Sequence, residues 1–327
     1  MRVLLTHSPE AFELYYGPRA LEKLRECGEV VRNNEKDSLE GERLIAAARD
    51  CELIVSYRQS PAPAALFERL PRLVAFLRCA IDIRNVDVPA ASRAGVLVTQ
   101  ASAGFVTSVA EQVFGFMIDL ARGVSKSCIS YRNNQVPKAS LGRELKGSTL
   151  GIIGYGQIGR EVARLGRAFG MQVLVSDPYA DAEGFEKVSF EDLLGRSDFV
   201  VPLAVATAAT ENLINADALA KMKRGAYLVN ASRGNLVDEA ALEAALDSGH
   251  LGGCALDVGR DPDQMPTPRL AARPDVVATP HSAGLTQPAI EHQSLETAAQ
   301  AAEIVKGRAP KGAVNAEHWT RKELIRK

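Results

Sequence analysis

From its first residues the chain alternates short apolar runs with stretches of helical periodicity, a pattern that predicts α/β structure built on parallel sheets. Residues 2–6 read as a strand, and a helix follows over 18–27, with Pro18 at its start and Gly28 at its stop. Residues 52–56, 73–78 and 96–99 read as further strands, so the first third predicts a small parallel-sheet domain. A long helix begins near Thr107 and runs past Arg122, because Val109, Val113, Phe116, Met117 and Leu120 fall on one helical face. Residues 132–147 are polar and interrupted by Pro137 and Gly142, which reads as a loop. A second series of strands follows at 149–153, 172–176, 198–203, 226–230, 253–256 and 276–278, and a last helix spans 288–306. Two doubly wound α/β domains account for this order. The second series already has its six strands, so the last helix is expected to return to the first domain. The expected division is 1–99 completed by 288–327 for one domain, and 100–287 for the other.

A length of 327 residues agrees with two domains, and 46% hydrophobic against 24% charged residues suffices for ordinary cores. The formal net charge is -1 with no long basic stretch, which argues against nucleic acid as the main partner. Cys27, Cys51, Cys79, Cys128 and Cys254 stand far apart, without CxxC or zinc-like Cys/His spacing. They read as reduced thiols, with no metal site expected. No apolar run approaches the ~20 residues that span a bilayer, and no leader pattern opens the chain. The expected compartment is a reducing cytoplasm, with no membrane partner.

The strongest chemical signal lies in residues 149–177. The strand at 149–153 runs into Gly154-Tyr155-Gly156-Gln157-Ile158-Gly159, where a helix opens with Ile158, Val162, Leu165 and Phe169 on one face. Gly170 ends that helix, the strand 172–176 follows, and Asp177 stands at its end, 18 residues past Gly159. Gly154 permits a tight turn, Gly156 lets a pyrophosphate approach the backbone, and Gly159 lets helix and strand pack closely. The free N–H groups and dipole at the helix start would hold the pyrophosphate. Asp177 is placed to accept hydrogen bonds from ribose hydroxyls and would repel the extra phosphate of NADP, which favours NAD. A lone GxGxxG is weak; here strand, loop, helix, strand and acid all fall in order, which makes this a Rossmann dinucleotide-binding domain. Gln157, Ile158 and Thr207 complete the candidate cofactor set with these glycines and Asp177.

Three later loops carry reactive groups at strand ends: Asn230-Ala231-Ser232-Arg233-Gly234, Leu256-Asp257-Val258 and Thr279-Pro280-His281. Together with Ser108-Val109-Ala110-Glu111, Glu144-Leu145-x-Gly147 and the glycine loop, they resemble the D-isomer-specific 2-hydroxyacid dehydrogenase family over almost the whole chain. The resemblance implies a flavodoxin-like substrate domain, made of the N-terminal segment and the C-terminal helix and hinged on the Rossmann domain. It also implies homodimerisation through the dinucleotide domain and an NAD-dependent oxidoreductase acting on a D-2-hydroxy acid or its 2-oxo acid. By position, Arg233 would bind the substrate carboxylate and polarise its carbonyl, His281 would be the general acid/base, and Asp257 would contact the nicotinamide carboxamide. The residue types suit the chemistry. Hydride addition builds negative charge on oxygen, which a guanidinium and a proton donor stabilise, and the planar fork of Arg matches a carboxylate.

The family pattern breaks in three places. A Glu just before a Pro normally orients the catalytic His. Here the order is Asp257-Val258-Gly259-Arg260-Asp261-Pro262-Asp263, so Asp261 is the favoured partner of His281, with Asp263 or neither as alternatives. The glycine-rich substrate loop is replaced by residues 78–87, in which Ile81 and Asp82 are candidate substrate contacts. Asp82 falls where a Gly is usual and Arg84 where an Asp is usual, so either Asp82 turns away, pairing with Arg84, or the substrate differs from a simple 2-oxo acid. Phe105 replaces a frequent Asn near the hinge and reads as packing. An NAD(H)-sensing protein with little catalysis is the alternative these departures support, as is a dehydrogenase of this fold acting on a non-standard substrate.

Overall fold

Five parallel strands open the chain: β1 (Arg2–Leu5), β2 (Glu29–Arg32), β3 (Leu53–Ser56), β4 (Ala75–Arg78) and β5 (Leu97–Gln100), ordered β2-β1-β3-β4-β5. The computed structural model describes residues 1–326. Strands β3 and β4 are buried along their whole length, because helices cover both faces of the sheet. Side chains alternate between two apolar layers. Val3, Leu5, Leu53, Val55, Ala75 and Leu77 face one layer, to which the helix Gln287–Ile304 adds Ala298, Ala301 and Ile304. Leu4, Ile54, Phe76 and Val98 face the other. Trp319 joins the first layer and donates its indole N–H to the Val74 carbonyl. The tail after the last helix is thus part of this unit's core.

The second unit is a seven-stranded parallel sheet of β6 (Thr149–Ile153), β7 (Gln172–Ser176), β8 (Glu186–Lys187), β9 (Phe199–Pro202), β10 (Tyr227–Asn230), β11 (Gly253–Leu256) and β12 (Val276–Ala278), ordered β12-β11-β10-β9-β6-β7-β8. The long helix is Val106–Arg122, and it buries Val109, Val113, Phe116 and Met117. Phe114 of the same helix stacks on Phe169 at 4.8 Å between centroids. The two strand orders are those of the flavodoxin-like and Rossmann forms of the doubly wound fold. In the second, the order reverses between β6 and β9, and such a switch point is where open α/β sheets bind ligands.

The expected elements differ from the structure in a few particulars. Strands β2 and β8 carry no sequence signal: β2 is charged at both ends and only half-buried, and β8 is two exposed residues. A helix, Val124–Arg132, precedes the polar loop and buries no side chain, so it carries no core periodicity. The units divide as Met1–Phe105 plus the segment from Leu285, and Val106–Gly284, rather than at 99/100 and 287/288. Residues 100–105 stay with the first unit because they bind its last helix. Ser102 donates its backbone N–H and its hydroxyl to Glu296, and Gly104 lies against His292.

Candidate nucleotide and catalytic site

Each glycine of the 154–159 loop has a distinct geometric reason. Gly154 has φ +97°, and a Cβ there would meet Ala204 N at 2.6 Å. A Cβ on Gly159 would lie 2.3 Å from the Gly154 carbonyl oxygen, so this glycine seats the helix Gln157–Ala168 on its own loop. Gly156 is different: nothing lies within 4 Å of the Cβ position. It is the N-cap of that helix, with no side chain capping the first turn. An open backbone approach at an uncapped helix N-terminus fits a dinucleotide pyrophosphate. Gln157 and Ile158 begin the helix, and Thr207 lies in the loop after β9, its N–H bonded to the Thr210 hydroxyl at 2.8 Å.

Asp177 stands at the end of β7, where its carboxylate accepts the backbone N–H groups of Tyr155 at 2.7 Å, Tyr179 at 2.7 Å and Ala180 at 3.0 Å. Burial raises its pKa, but these N–H groups outweigh burial and hold the carboxyl below its ordinary value. A charged carboxylate tied to the glycine loop is what discrimination against a 2′-phosphate requires.

The three reactive loops leave adjacent strands whose ends are in register, Asn230 beside Leu256 and Leu256 beside Ala278. The structure therefore gathers Arg233, Asp257 and His281 along one edge of the second sheet. The Arg233 loop is braced by Asn230, whose side-chain amide donates to the Arg233 carbonyl at 2.9 Å and whose side-chain oxygen accepts from Ser232 N at 3.1 Å. Gly234 has no room for a side chain, since a Cβ would fall 1.9 Å from the Gly259 carbonyl oxygen. Buried Asp257 accepts the Thr279 hydroxyl at 2.6 Å, Ser282 N at 2.8 Å and Ala283 N at 3.0 Å, so it holds the loop that carries His281. His281 itself sits at φ +51°, in the left-handed region.

His281 Nδ1 lies 2.6 Å from the main-chain carbonyl oxygen of Asp263. The expected partner, Asp261, instead starts the 3-10 turn Pro262–Gln264 and donates its N–H to the Met265 carbonyl at 3.1 Å. The reason is local backbone geometry. Asp263 and Gln264 are both left-handed, at φ 56° and 57°, and this turns a carbonyl rather than a carboxylate toward the imidazole.

In the first unit, Ile81 and Asp82 follow β4. Asp82 pairs with Arg84, whose Nε lies 3.0 Å from both carboxylate oxygens and whose Nη2 lies 2.6 Å from Oδ2. The charge placed where a glycine is usual is thus matched by the charge placed where an aspartate is usual. Two residues escaped the sequence reading. Arg78 is fully buried, with its guanidinium on the Tyr57 and Ser60 carbonyls and on Asn85, and burial lowers its pKa to about 10. His7, just after β1, is also buried, between Tyr16 and Tyr57. Its pKa falls to about 3, first through burial and then through Arg78 and Arg32. A titratable residue at or just after the end of an apolar strand was the available signal for both. Among the described residues no cluster of metal-binding side chains occurs, and no helix is long and apolar enough to cross a membrane.

Fold and glycine loop together define a doubly wound protein with a nucleotide-binding unit. Residues 114–283 match the family model for the D-isomer specific 2-hydroxyacid dehydrogenase, NAD binding domain, and the chain belongs to that family. It is 34% identical over 267 residues to D-3-phosphoglycerate dehydrogenase of Bacillus subtilis, covering 80% of this chain and 51% of that one. The rat enzyme of the same name is 35% identical over 293 residues, 88% of this chain and 55% of the relative. The chain thus spans about half the length of these curated relatives. Among solved structures, the TT0316 protein of Thermus thermophilus superposes with a TM-score of 0.85 at 30% identity, over 96% of this chain and 100% of that one. Apo D-lactate dehydrogenase of Escherichia coli gives 0.84 at 27%, with 96% and 100% covered. The cofactor type that goes with this domain is NAD.

Proposed function

We propose that the chain is an NAD-dependent oxidoreductase that interconverts a D-2-hydroxy acid and its 2-oxo acid. The observation that carries this reading is the shared sheet edge: the glycine loop leaves β6, and Arg233 and His281 leave β10 and β12 of the same sheet. Gly154, Gly156 and Gly159, with the first turn Gln157–Ile158, would hold the pyrophosphate, and Asp177 the adenosine ribose. Thr207 and Asp257 would line the nicotinamide side. When bound, the nicotinamide supplies or accepts the hydride. Arg233 would grip the substrate carboxylate and stabilise charge on the carbonyl oxygen. His281 Nδ1 faces a carbonyl, which can only accept, so Nδ1 carries a proton and Nε2 is the atom left to exchange one with substrate. Ile81 and the paired Asp82 are proposed as substrate contacts, and the N-terminal unit is assigned as the substrate domain.

Two further assignments go with this reading. Val124, Ile129, Tyr131, Val136 and Leu141 are exposed on consecutive segments of the second unit, which supports a homodimer through that unit. All five cysteines are free thiols, four of them buried, which supports a reducing cytoplasm. The test is NADH oxidation against a panel of 2-oxo acids, with D-3-phosphoglycerate plus NAD+ in the reverse direction, for the wild type and His281→Ala. Turnover that requires His281 is the expected result. Tight NADH binding without turnover on any acid would replace this reading with a nucleotide-sensing protein.

A further inference from the structure

The geometry points to the main-chain carbonyl of Asp263 as the group that holds His281 for proton transfer, with Arg260 as the positioning residue that fixes it. This rests on the reading of His281 as the acid/base. The carbonyl reaches His281 Nδ1 at 2.6 Å only because Asp263 and Gln264 are both left-handed, a conformation that side chains other than glycine seldom adopt in succession. Something must hold this segment in place. Two backbone bonds close it, Gly259 N to the Gln264 carbonyl at 2.8 Å and Asp261 N to the Met265 carbonyl at 3.1 Å.

Arg260 anchors the closed loop from outside. Its backbone N–H donates to Glu239 at 3.1 Å, and its guanidinium bonds Glu211 at 2.7 Å, the Asn212 side chain, and the carbonyls of Asn235 and Val237 at 3.2 Å each. Asn235 and Val237 belong to the loop that begins at Arg233. Gly234, in that same loop, lies in backbone contact with Gly259. One guanidinium therefore ties the segment that orients His281 to the segment that carries Arg233. An arginine suits this task because its planar fork addresses several carbonyls and a carboxylate at once, which a lysine ammonium on a flexible stem does not.

A neutral carbonyl differs from a carboxylate in one observable way. Like a carboxylate it selects the tautomer with the proton on Nδ1, but unlike one it does so whatever stands at the side chains of residues 261 and 263. The experiment is 15N–1H correlation of histidine-labelled full-length protein at a pH where the imidazole is neutral, with His281→Gln assigning the signal. The Nδ1–H tautomer is expected in the wild type and in Asp261→Asn and Asp263→Asn, since Asn keeps the left-handed backbone accessible. Its absence in the wild type, or its loss in either Asn variant, would overturn the assignment. Arg260→Met is expected to weaken that signal and to lower kcat about 10- to 100-fold, with NADH affinity within about threefold of wild type and partial recovery in Arg260→Lys. An unchanged kcat in Arg260→Met would remove Arg260 from the role. A wild type with the expected tautomer but no turnover on any acid would leave the His281 contact standing and remove the dehydrogenase reading instead.

Discussion

At the scale of single residues, the glycine loop separates two effects that usually travel together. Gly156 has φ −75° and open space around its Cβ position, so Gly156→Ala costs the fold nothing sterically. Its melting temperature should match or slightly exceed that of the wild type, while NADH affinity falls about tenfold or more. Gly159→Ala should lose both, with destabilisation of about 2 kcal/mol from the clash with Gly154 O. Calorimetry and NADH titration of the two variants measure this contrast; equal affinity loss without a stability difference would count against it. Asp177→Ala should raise NADP use relative to NAD, and should also destabilise the unit by about 1–3 kcal/mol, because three backbone N–H groups lose their acceptor. The sequence already displayed these residues, since each has a recognisable type at a recognisable spacing. The partner of His281 was not visible in that way. It is a main-chain atom, and the pattern of side chains around Asp261 and Asp263 carries no record of which way a carbonyl turns.

At the scale of elements, the carboxyl edge of the first sheet contains a latent acid sensitivity. His7 follows β1, with both ring nitrogens buried and without protein partners. Its pKa drops from 6.5 to about 3 on folding, so below pH 6.5 the unfolded chain takes up a proton that the folded chain refuses. The stability this neutral group permits is complete above pH 6.5 and is lost as the pH falls toward 3. Its share of the loss is about 2 kcal/mol between about pH 6.5 and 5. Urea unfolding across that range should show the decline, and His7→Leu should flatten it. On the second sheet, Gly234→Ala should destabilise by about 3 kcal/mol, because its Cβ would collide with the loop after β11. Denaturant midpoints of this variant, set beside those of Gly156→Ala, give the comparison. Strands were legible from sequence where they run through the middle of a sheet, as β3, β4, β6 and β9 do. Of the edge strands, β5 and β12 kept an apolar run and were read. The other two, β2, charged at both ends, and β8, two exposed charged residues, were not, because the run that marks a strand is missing there.

At the scale of the whole molecule, the exposed apolar side chains of the second unit argue for association. Sedimentation should give twice the chain mass, and paired Ile129→Asp and Leu141→Asp changes should shift it to one chain; an unaltered mass would place the interface elsewhere. The return of the last helix to the first unit was legible because the second series of strands was complete before it. The tail beyond it was less so, since Trp319 and Arg321 act through contacts with the Val74 carbonyl and with the carbonyls of Leu70 and Leu73, which no local periodicity announces. That split construction sets a schedule for the chain as it is made. The ribosome emits the first five strands, then the whole of residues 106–284, and only afterwards the helix and tail that finish the earlier sheet's apolar layer. At ~5–20 residues per second, that leaves the layer, covered until then only by residues of the early helices such as Phe12, Leu21 and Leu24, unfinished for roughly 10–35 s. For that interval the newborn sheet is a target for chaperones and proteases, while the nucleotide unit is free to complete its own fold.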